Sequence, residues 1–164
     1  LFAVNTLFSS IVKINDDYNF TPYWRPPFID KIVSEDRCHL NGMAMKNGKP
    51  KYASAFNRGN KPQSWREKIT SSGIIIDIEE NKIIAEGLAM PHTPRIFNDE
   101  LYVLLSASGE LAKINIKNGT CPDIGSQLTF NEIYKMHIIP NQKLGIDCPS
   151  IATAIKDPSI HLPL

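Results

Sequence analysis

Two histidines occupy matching positions in this sequence and are its best candidates for chemistry. His39 lies at the head of the segment CHLNGMAM and His92 at the head of PHTPRIF, and a polar turn follows each segment. Imidazoles that converge on one cavity can act as general acid and base near pH 7, or bind a metal. No carboxylate adjoins either histidine, the nearest being Glu35 and Asp36, so we predict no metal. The alternative is that each histidine only hydrogen-bonds the backbone where its strand begins.

Two Trp-Arg pairs add aromatic and cationic groups. Trp24 and Arg25 belong to TPYWRPPFID, which prolines stiffen, and Trp65 and Arg66 belong to SWRE in a longer loop. An exposed indole offers a stacking face for a sugar or an aromatic ligand, and loops on rigid scaffolds often carry binding. The alternative for Trp24 is a packed connector between two structural units.

These patterns together predict a ligand-binding site, although they assign no catalytic residue. The three arginines attract an anion if they lie on one face, and His137 in MHIIPN is a candidate third histidine. The predicted ligand-binding residues are His39, Asn41, His92, Arg95, Trp24, Arg25, Trp65 and Arg66.

The three cysteines favour a structural role in a reducing compartment. Cys38, Cys121 and Cys148 are far apart, odd in number and form no C-x-x-C pair. This spacing argues against a disulfide framework and predicts a cytoplasmic location. Cys38 precedes His39, but neighbours on a strand face opposite sides, so a buried structural cysteine is favoured over a catalytic thiol.

Charge and composition exclude several classes of function. The net charge is +1, from 18 basic and 17 acidic residues with no basic block, so we predict no nucleic-acid partner. No apolar run is long enough to span a bilayer, so we predict no membrane association. The opening LFAVNTLFSSIVKI resembles a strand under way more than a signal peptide, which is compatible with a fragment of a longer chain and does not establish one. Motifs of serine hydrolases, P-loops, dinucleotide folds and zincins are absent.

A repeated pattern of short β-type runs organises the chain. LFAVNTLFSSIVKIN at 1–15 aligns without a gap to LYVLLSASGELAKIN at 101–115. A middle copy contains KYASAFN and GIIIDI, which the insertion RGNKPQSWREKITSS separates. A fourth strand follows in the first two copies, NFTPYW and KIIAEGLA, and the turns KNGK and FNDE suit tight hairpins.

The repeat predicts an all-β fold of antiparallel four-stranded blades of β-propeller type. A unit of four strands in about 50 residues has the length of a propeller blade, and neighbouring blades must stack to cover its apolar face. We place blade portions at 1–37, 38–90 and 91–125. About three repeats make an incomplete propeller, so self-association to cover open blades is possible. The alternative is an ordinary antiparallel meander.

The segment 126–164 diverges from the repeat and is predicted to be irregular or partly helical. Thr129 and Glu132 have the spacing of a capping box, which favours a short helix. MHIIPNQKLGI is equally compatible with a degenerate strand and hairpin of a fourth unit.

Long motifs in residues 1 to about 120 resemble one known family. They are VNTLFSS, YWRPPFI, EDRCHLNGMAM, SWRE, GIIIDI, GLAMPHTPR and LYVLLSASGEL, in that order. The chain resembles an uncharacterised family of bacterial conserved hypothetical proteins, which goes by more than one label, DUF4915 among them. The resemblance implies a propeller-like β-repeat protein of roughly twice this length. It implies no activity and no cofactor, and the tail departs from the expected pattern.

These inferences favour a binding or scaffold module for a small polar ligand or a protein partner. The predicted site is the axial mouth, the opening on which the first strands of the blades converge. The alternative is a lyase or hydrolase in which His39 or His92 is the base and Arg95 stabilises a developing anion. A third possibility is a non-functional remnant, or a subunit that completes its ring by self-association. The cofactor, if any, is unknown.

Overall fold

Ten antiparallel strands make up the part of the chain that the computed structural model describes, residues 1–116. The strands are β1 (Phe2–Asn5), β2 (Ser10–Lys13), β3 (Thr21–Trp24), β4 (Leu40–Lys46), β5 (Lys49–Ala55), β6 (Gly73–Asp77), β7 (Lys82–Leu88), β8 (Pro91–Phe97), β9 (Glu100–Leu105) and β10 (Glu110–Ile114). A short 3₁₀ helix, Ser64–Lys68, lies in the predicted insertion between β5 and β6. Within these residues no helix is both long and apolar enough to cross a membrane.

The strands form three sheets that follow one another along the chain. Their orders are β1-β2-β3, β4-β5-β6-β7 and β8-β9-β10, and we call them the first, middle and third sheets. Every pairing is antiparallel and joins strands that are consecutive in sequence. The predicted all-β antiparallel class is confirmed. The described sheets have three or four strands, whereas the repeat predicted four in each unit.

Several sequence-based predictions lie outside the described residues. These are the choice between a helix and a degenerate strand in the tail, the third histidine, and the environments of two cysteines. They concern Thr129, Glu132, His137, Cys121 and Cys148.

Asn-rich turns join the first two strands of the middle and third sheets, as the sequence predicted. Asn47 and Gly48 link β4 to β5 with φ of 51° and 77°, and Asn98 and Asp99 link β8 to β9 with φ of 50° and 61°. Two consecutive residues of positive φ match the right-handed twist of a hairpin. Asn, Asp and Gly tolerate this conformation, so the turn residues set the register of both hairpins.

The middle sheet is buried on both faces, and β6 shows this most clearly because all five of its residues are buried. Ile74 and Ile76 pack in one apolar cluster with Ile11 of the first sheet. Ile75 packs in the other cluster with Leu101 of the third sheet. Because successive side chains of a strand point to opposite faces, the middle sheet packs against the first sheet with one face and against the third sheet with the other. Full burial of each isoleucine contributes about 1.5–3 kcal/mol.

The first strands of the middle and third sheets also contact each other through polar and backbone groups. Asn41 Nδ2 donates to the Pro91 carbonyl at 3.1 Å, and Ser54 Oγ donates to Asn41 Oδ1 at 2.6 Å. One residue further along β4, the absence of a side chain at Gly42 leaves room for Pro94 of β8. These contacts place β4 and β8 side by side.

Substitution of Gly42 by alanine tests this close approach. The added Cβ would lie 2.6 Å from Pro94 Cδ and 2.7 Å from Ser54 Oγ, inside contact distance. We expect Gly42→Ala to lower the free energy of unfolding by about 1–3 kcal/mol, measured by urea denaturation. The control is Met45→Ala on the same strand, where the side chain is 42% exposed and a small effect is expected. Equal stability of the two variants would contradict the packing of β4 against β8.

Candidate functional site

The segment 35–39 leads into β4 and is tied to its surroundings by backbone hydrogen bonds. The Asp36 amide donates to the Leu7 carbonyl at 2.8 Å, and the Phe56 amide donates to the Cys38 carbonyl at 3.0 Å. Asp36 and His39 both adopt left-handed backbone conformations, with φ of 46° and 51°. Such φ values are uncommon outside glycine, so the surrounding contacts hold the segment in a shape that the residues alone do not favour.

Arg37 anchors the same segment from within the protein. Its side chain is 7% exposed and bonds Asp30 at 2.6 Å, Glu35 at 2.8 Å and Asn60 at 2.8 Å. Guanidinium groups match carboxylates in such multiple bonds. Arg37 is thereby committed to holding the loop.

His39 bonds a carboxylate, not the backbone. Its Nδ1 lies 2.9 Å from Oδ2 and 3.1 Å from Oδ1 of Asp36. The indole Nε1 of Trp65 donates to the same Oδ2 at 3.1 Å. The carboxylate therefore joins the start of β4 to the 3₁₀ helix of the insertion.

Aromatic contacts fix the plane of the His39 ring. The ring stacks on Phe56 with centroids 4.5 Å apart and an interplanar angle of 26°. Its centroid is 4.4 Å from that of Trp65, and the Arg66 guanidinium carbon lies 4.3 Å from the Trp65 centroid. We call Asp36, His39, Phe56 and Trp65 the His39 cluster. Trp65 is 7% exposed, so its ring serves to position His39.

The second nitrogen of His39 remains accessible. Within residues 1–116, Nε2 has no hydrogen-bond partner, and it is not among the buried polar atoms that lack one. The side chain as a whole is 26% exposed. The cluster thus presents one imidazole nitrogen to solvent while holding the rest of the ring.

His92 lies at the head of β8, within electrostatic reach of His39. It is exposed at the surface, and its Nδ1 is 2.9 Å from the Thr93 hydroxyl. The pKa of His92 is lowered, first by partial desolvation and second by the positive charge of His39. Thr93 has a φ of 52°, which is strained for a β-branched residue. The two histidines thus lie in irregular segments at the heads of neighbouring strands.

The other predicted ligand-binding residues have diverse surroundings. Both ends of the Asn41 amide are engaged by Pro91 and Ser54. Trp24 Nε1 donates to Asn81 at 2.8 Å, and Trp24 packs against the apolar cluster shared with the first sheet. Arg95 is exposed and donates to the carbonyl of its own neighbour.

The structure therefore brings together only part of the predicted set. His39, Trp65 and Arg66 are in contact, and His92 is coupled to them through charge. Arg25 is half-buried, and among residues 1–116 no contact joins it to Arg66 or Arg95. The anion-attracting group of three arginines stays a prediction.

Sequence reasoning did not assign Asp36 and Phe56 to the site. The sequence marks Asp36 only as a carboxylate near His39, and the side chain of Phe56 has no titratable or hydrogen-bonding group that would suggest a functional role. The available signal was register: Leu40 pairs with Ala55, so the residues just outside this pair, His39 and Phe56, become neighbours. The spacing of Asp36 and His39 brings their side chains together only because both residues are left-handed.

Cys38 is a buried thiol in the core. Its residue is fully buried, and burial is the main cause that raises its pKa to about 12, with a smaller contribution from the charge of Asp36. A hydrogen bond with the Ser9 side chain opposes this rise only in part. The thiol is therefore protonated at neutral pH, as expected for a structural cysteine.

Comparison with known proteins identifies the family. The model of a family described as "Domain of unknown function (DUF4915)" matches residues 1–143. The chain belongs to this family. All ten described strands, both histidine segments and the insertion lie within this DUF4915 domain. No curated protein and no solved structure matches the chain.

Alkylation tests the state of the Cys38 thiol. Because its pKa is about 12 and the side chain is buried, we expect iodoacetamide at about pH 8 to leave Cys38 unmodified in the folded protein. In urea the same residue should react at the rate of an ordinary thiol. Peptide-resolved mass spectrometry separates Cys38 from the other cysteines. Rapid labelling in the folded protein would contradict the buried position.

Titration of His92 by NMR tests its coupling to His39. We expect a midpoint below the ordinary 6.5, and a rise towards that value in His39→Gln, which removes the charge. Since folding lowers the pKa of His92, this group stabilises the fold above about pH 6.5 and the contribution is lost as pH falls through the folded pKa. An unchanged His92 midpoint in His39→Gln would show that the rings are not coupled.

Proposed function

We propose that this domain is a β-propeller-type binding module that holds a small polar ligand at the heads of β4 and β8. Two features support the propeller type. Consecutive sheets pack face to face through separate apolar clusters, and the first strands of two sheets lie side by side. In a propeller the first strands line the central channel, where ligands bind. Three described sheets do not close a ring, so the proposal includes further blades.

The accessible Nε2 of His39 is the observation that carries the proposal. The Asp36 carboxylate and two aromatic rings hold the imidazole, yet this nitrogen has no hydrogen-bond partner within residues 1–116. Left-handed residues cost about 1–3 kcal/mol each and cluster at functional sites. Such residues occur at both histidine segments, at Asp36, His39 and Thr93.

A second candidate function is general-base catalysis, as in a lyase or hydrolase. The pairing of Asp36 with Nδ1 of His39 is the arrangement that orients an imidazole to accept a proton at Nε2. Cys38 cannot supply the nucleophile, because its thiol is buried and protonated. In this alternative the base acts on water or on a substrate C–H group, and Arg95 faces the developing charge.

Location and partners complete the proposal. We place the module in the cytoplasm, since a buried reduced thiol at Cys38 suits a reducing compartment. The ligand is a small polar molecule or an exposed group of a protein partner. Self-association is a route to further blades, and sedimentation of the intact protein measures it.

A ligand screen tests the binding function. Small sugars, carboxylates and phosphate esters are mixed with the folded protein, and binding is detected by ligand-observed NMR. We expect at least one polar ligand whose affinity falls about tenfold or more in His39→Ala and in His92→Ala, the scale of a lost buried or charged hydrogen bond. Lys82→Ala is the control, because Lys82 is exposed at the start of β7.

Two outcomes would count against this function. A ligand that binds all three variants equally well would place the site elsewhere. A screen that finds no binder would contradict the proposed binding function. If the protein converts a bound ligand into a product and His39→Ala abolishes this conversion, the result would favour the lyase or hydrolase function instead.

A further inference from the structure

We infer that Asp36 fixes the tautomer of His39, so that the neutral form of the ring presents Nε2 as a bare hydrogen-bond acceptor and takes a ligand that donates a hydroxyl or amine hydrogen there. The part concerning the ligand rests on the proposed binding function. The part concerning Asp36 does not, since it follows from the contacts of the His39 cluster alone.

The hydrogen-bond inventory of the cluster assigns the proton. An indole N–H only donates, so Oδ2 of Asp36 accepts from Trp65 at 3.1 Å. A carboxylate also only accepts, so the His39 nitrogen at 2.9 Å must be its donor. Nδ1 therefore carries the hydrogen of the neutral imidazole, and Nε2 carries a lone pair.

The packing of the ring prevents an alternative arrangement. A half-turn of the imidazole would place a carbon against Asp36 and give up the hydrogen bond. The ring lies 4.5 Å from the Phe56 ring and 4.4 Å from the Trp65 ring, which hold its plane. Asp36 is itself held, since its amide donates to the Leu7 carbonyl at 2.8 Å. Asp36 is thus a positioning residue that sets the chemical character of His39.

The lone pair defines the class of ligand. Nε2 reaches solvent, so it can accept a hydrogen bond from a molecule outside the protein. An anion without hydrogens, such as sulfate, presents only acceptors, and two acceptors do not form a hydrogen bond with each other. A hydroxyl group of a sugar or polyol, or an amine, supplies the missing donor. The ligand class is therefore a donor-bearing neutral or cationic molecule.

The variant Asp36→Ala removes the acceptor of the Nδ1 hydrogen and provides the test. Without the carboxylate nothing in the cluster fixes that hydrogen on Nδ1, and a neutral imidazole without such a partner carries its hydrogen mainly on Nε2. Nitrogen-15 NMR of the imidazole at about pH 8.5, about two units above the ordinary histidine pKa, reads both nitrogens. We expect Nε2 to be unprotonated in the natural protein and mainly protonated in Asp36→Ala.

Glu35→Ala is the matched control. Glu35 is the adjacent acidic residue, and its carboxylate bonds Arg37 instead of His39. The same loss of a carboxylate one residue away should leave the His39 tautomer unchanged. The inference is overturned if Nδ1 is unprotonated in the natural protein, or if Asp36→Ala folds and keeps the natural tautomer. If Asp36→Ala fails to fold, the measurement on the natural protein decides alone.

Two probes test the ligand class at the same nitrogen. Glycerol and inorganic sulfate are titrated separately at about pH 8.5, where sulfate carries no hydrogen. We expect glycerol to shift the Nε2 resonance of the natural protein and sulfate to leave it unchanged. In Asp36→Ala sulfate should shift the resonance as well, because Nε2 then carries a hydrogen to donate. A response of the natural protein to sulfate overturns the donor class. With the expected tautomer but no response to either probe, the binding function and its ligand class fail, while the role of Asp36 stands.

Discussion

Burial of the middle sheet on both faces is the constraint on which the rest of this structure depends. Alternate isoleucines of β6 enter different apolar clusters, so neither neighbouring sheet can be removed without exposing one face. This fixes β5 and β4 through their pairing with β6. Leu40 of β4 lies opposite Ala55 of β5, so His39 and Phe56 follow as the next opposed residues and their rings stack. The stacking of His39 on Phe56 therefore follows from the register of β4 and β5, which the packing of the core sets.

The insertion between β5 and β6 completes the candidate site. Its 3₁₀ helix returns Trp65 to the His39 ring, and Ser64 Oγ donates to the Arg37 carbonyl at 3.0 Å. The Gln63 amide donates to the Glu35 carbonyl at 3.3 Å, so the insertion is tied to the segment before β4. A rigid sheet thus supplies the position, and a loop supplies the partner that completes the cluster.

The elements of the fold were predictable because they are encoded locally. Apolar alternation located the strands, and Asn-Gly and Asn-Asp located two hairpins. The site was less predictable because it depends on contacts distant in sequence. His39 and His92 occupy matching positions, yet only His39 is enclosed by a carboxylate and two rings. The two Trp-Arg pairs also look alike, but Trp65 contacts His39 while Trp24 bonds Asn81. Nothing local in the sequence separates these cases.

A purely structural role explains the His39 cluster poorly. Stability alone would favour glycine or asparagine at a left-handed position, because a histidine there strains the backbone. It would also favour an apolar ring beside Phe56, since a carboxylate such as Asp36 must be desolvated when it is partly enclosed. Each of these destabilising features is avoidable by substitution, yet together they hold an imidazole in a fixed plane with one nitrogen that has no partner within residues 1–116. This excess over what packing requires supports the proposal that the nitrogen contacts a ligand.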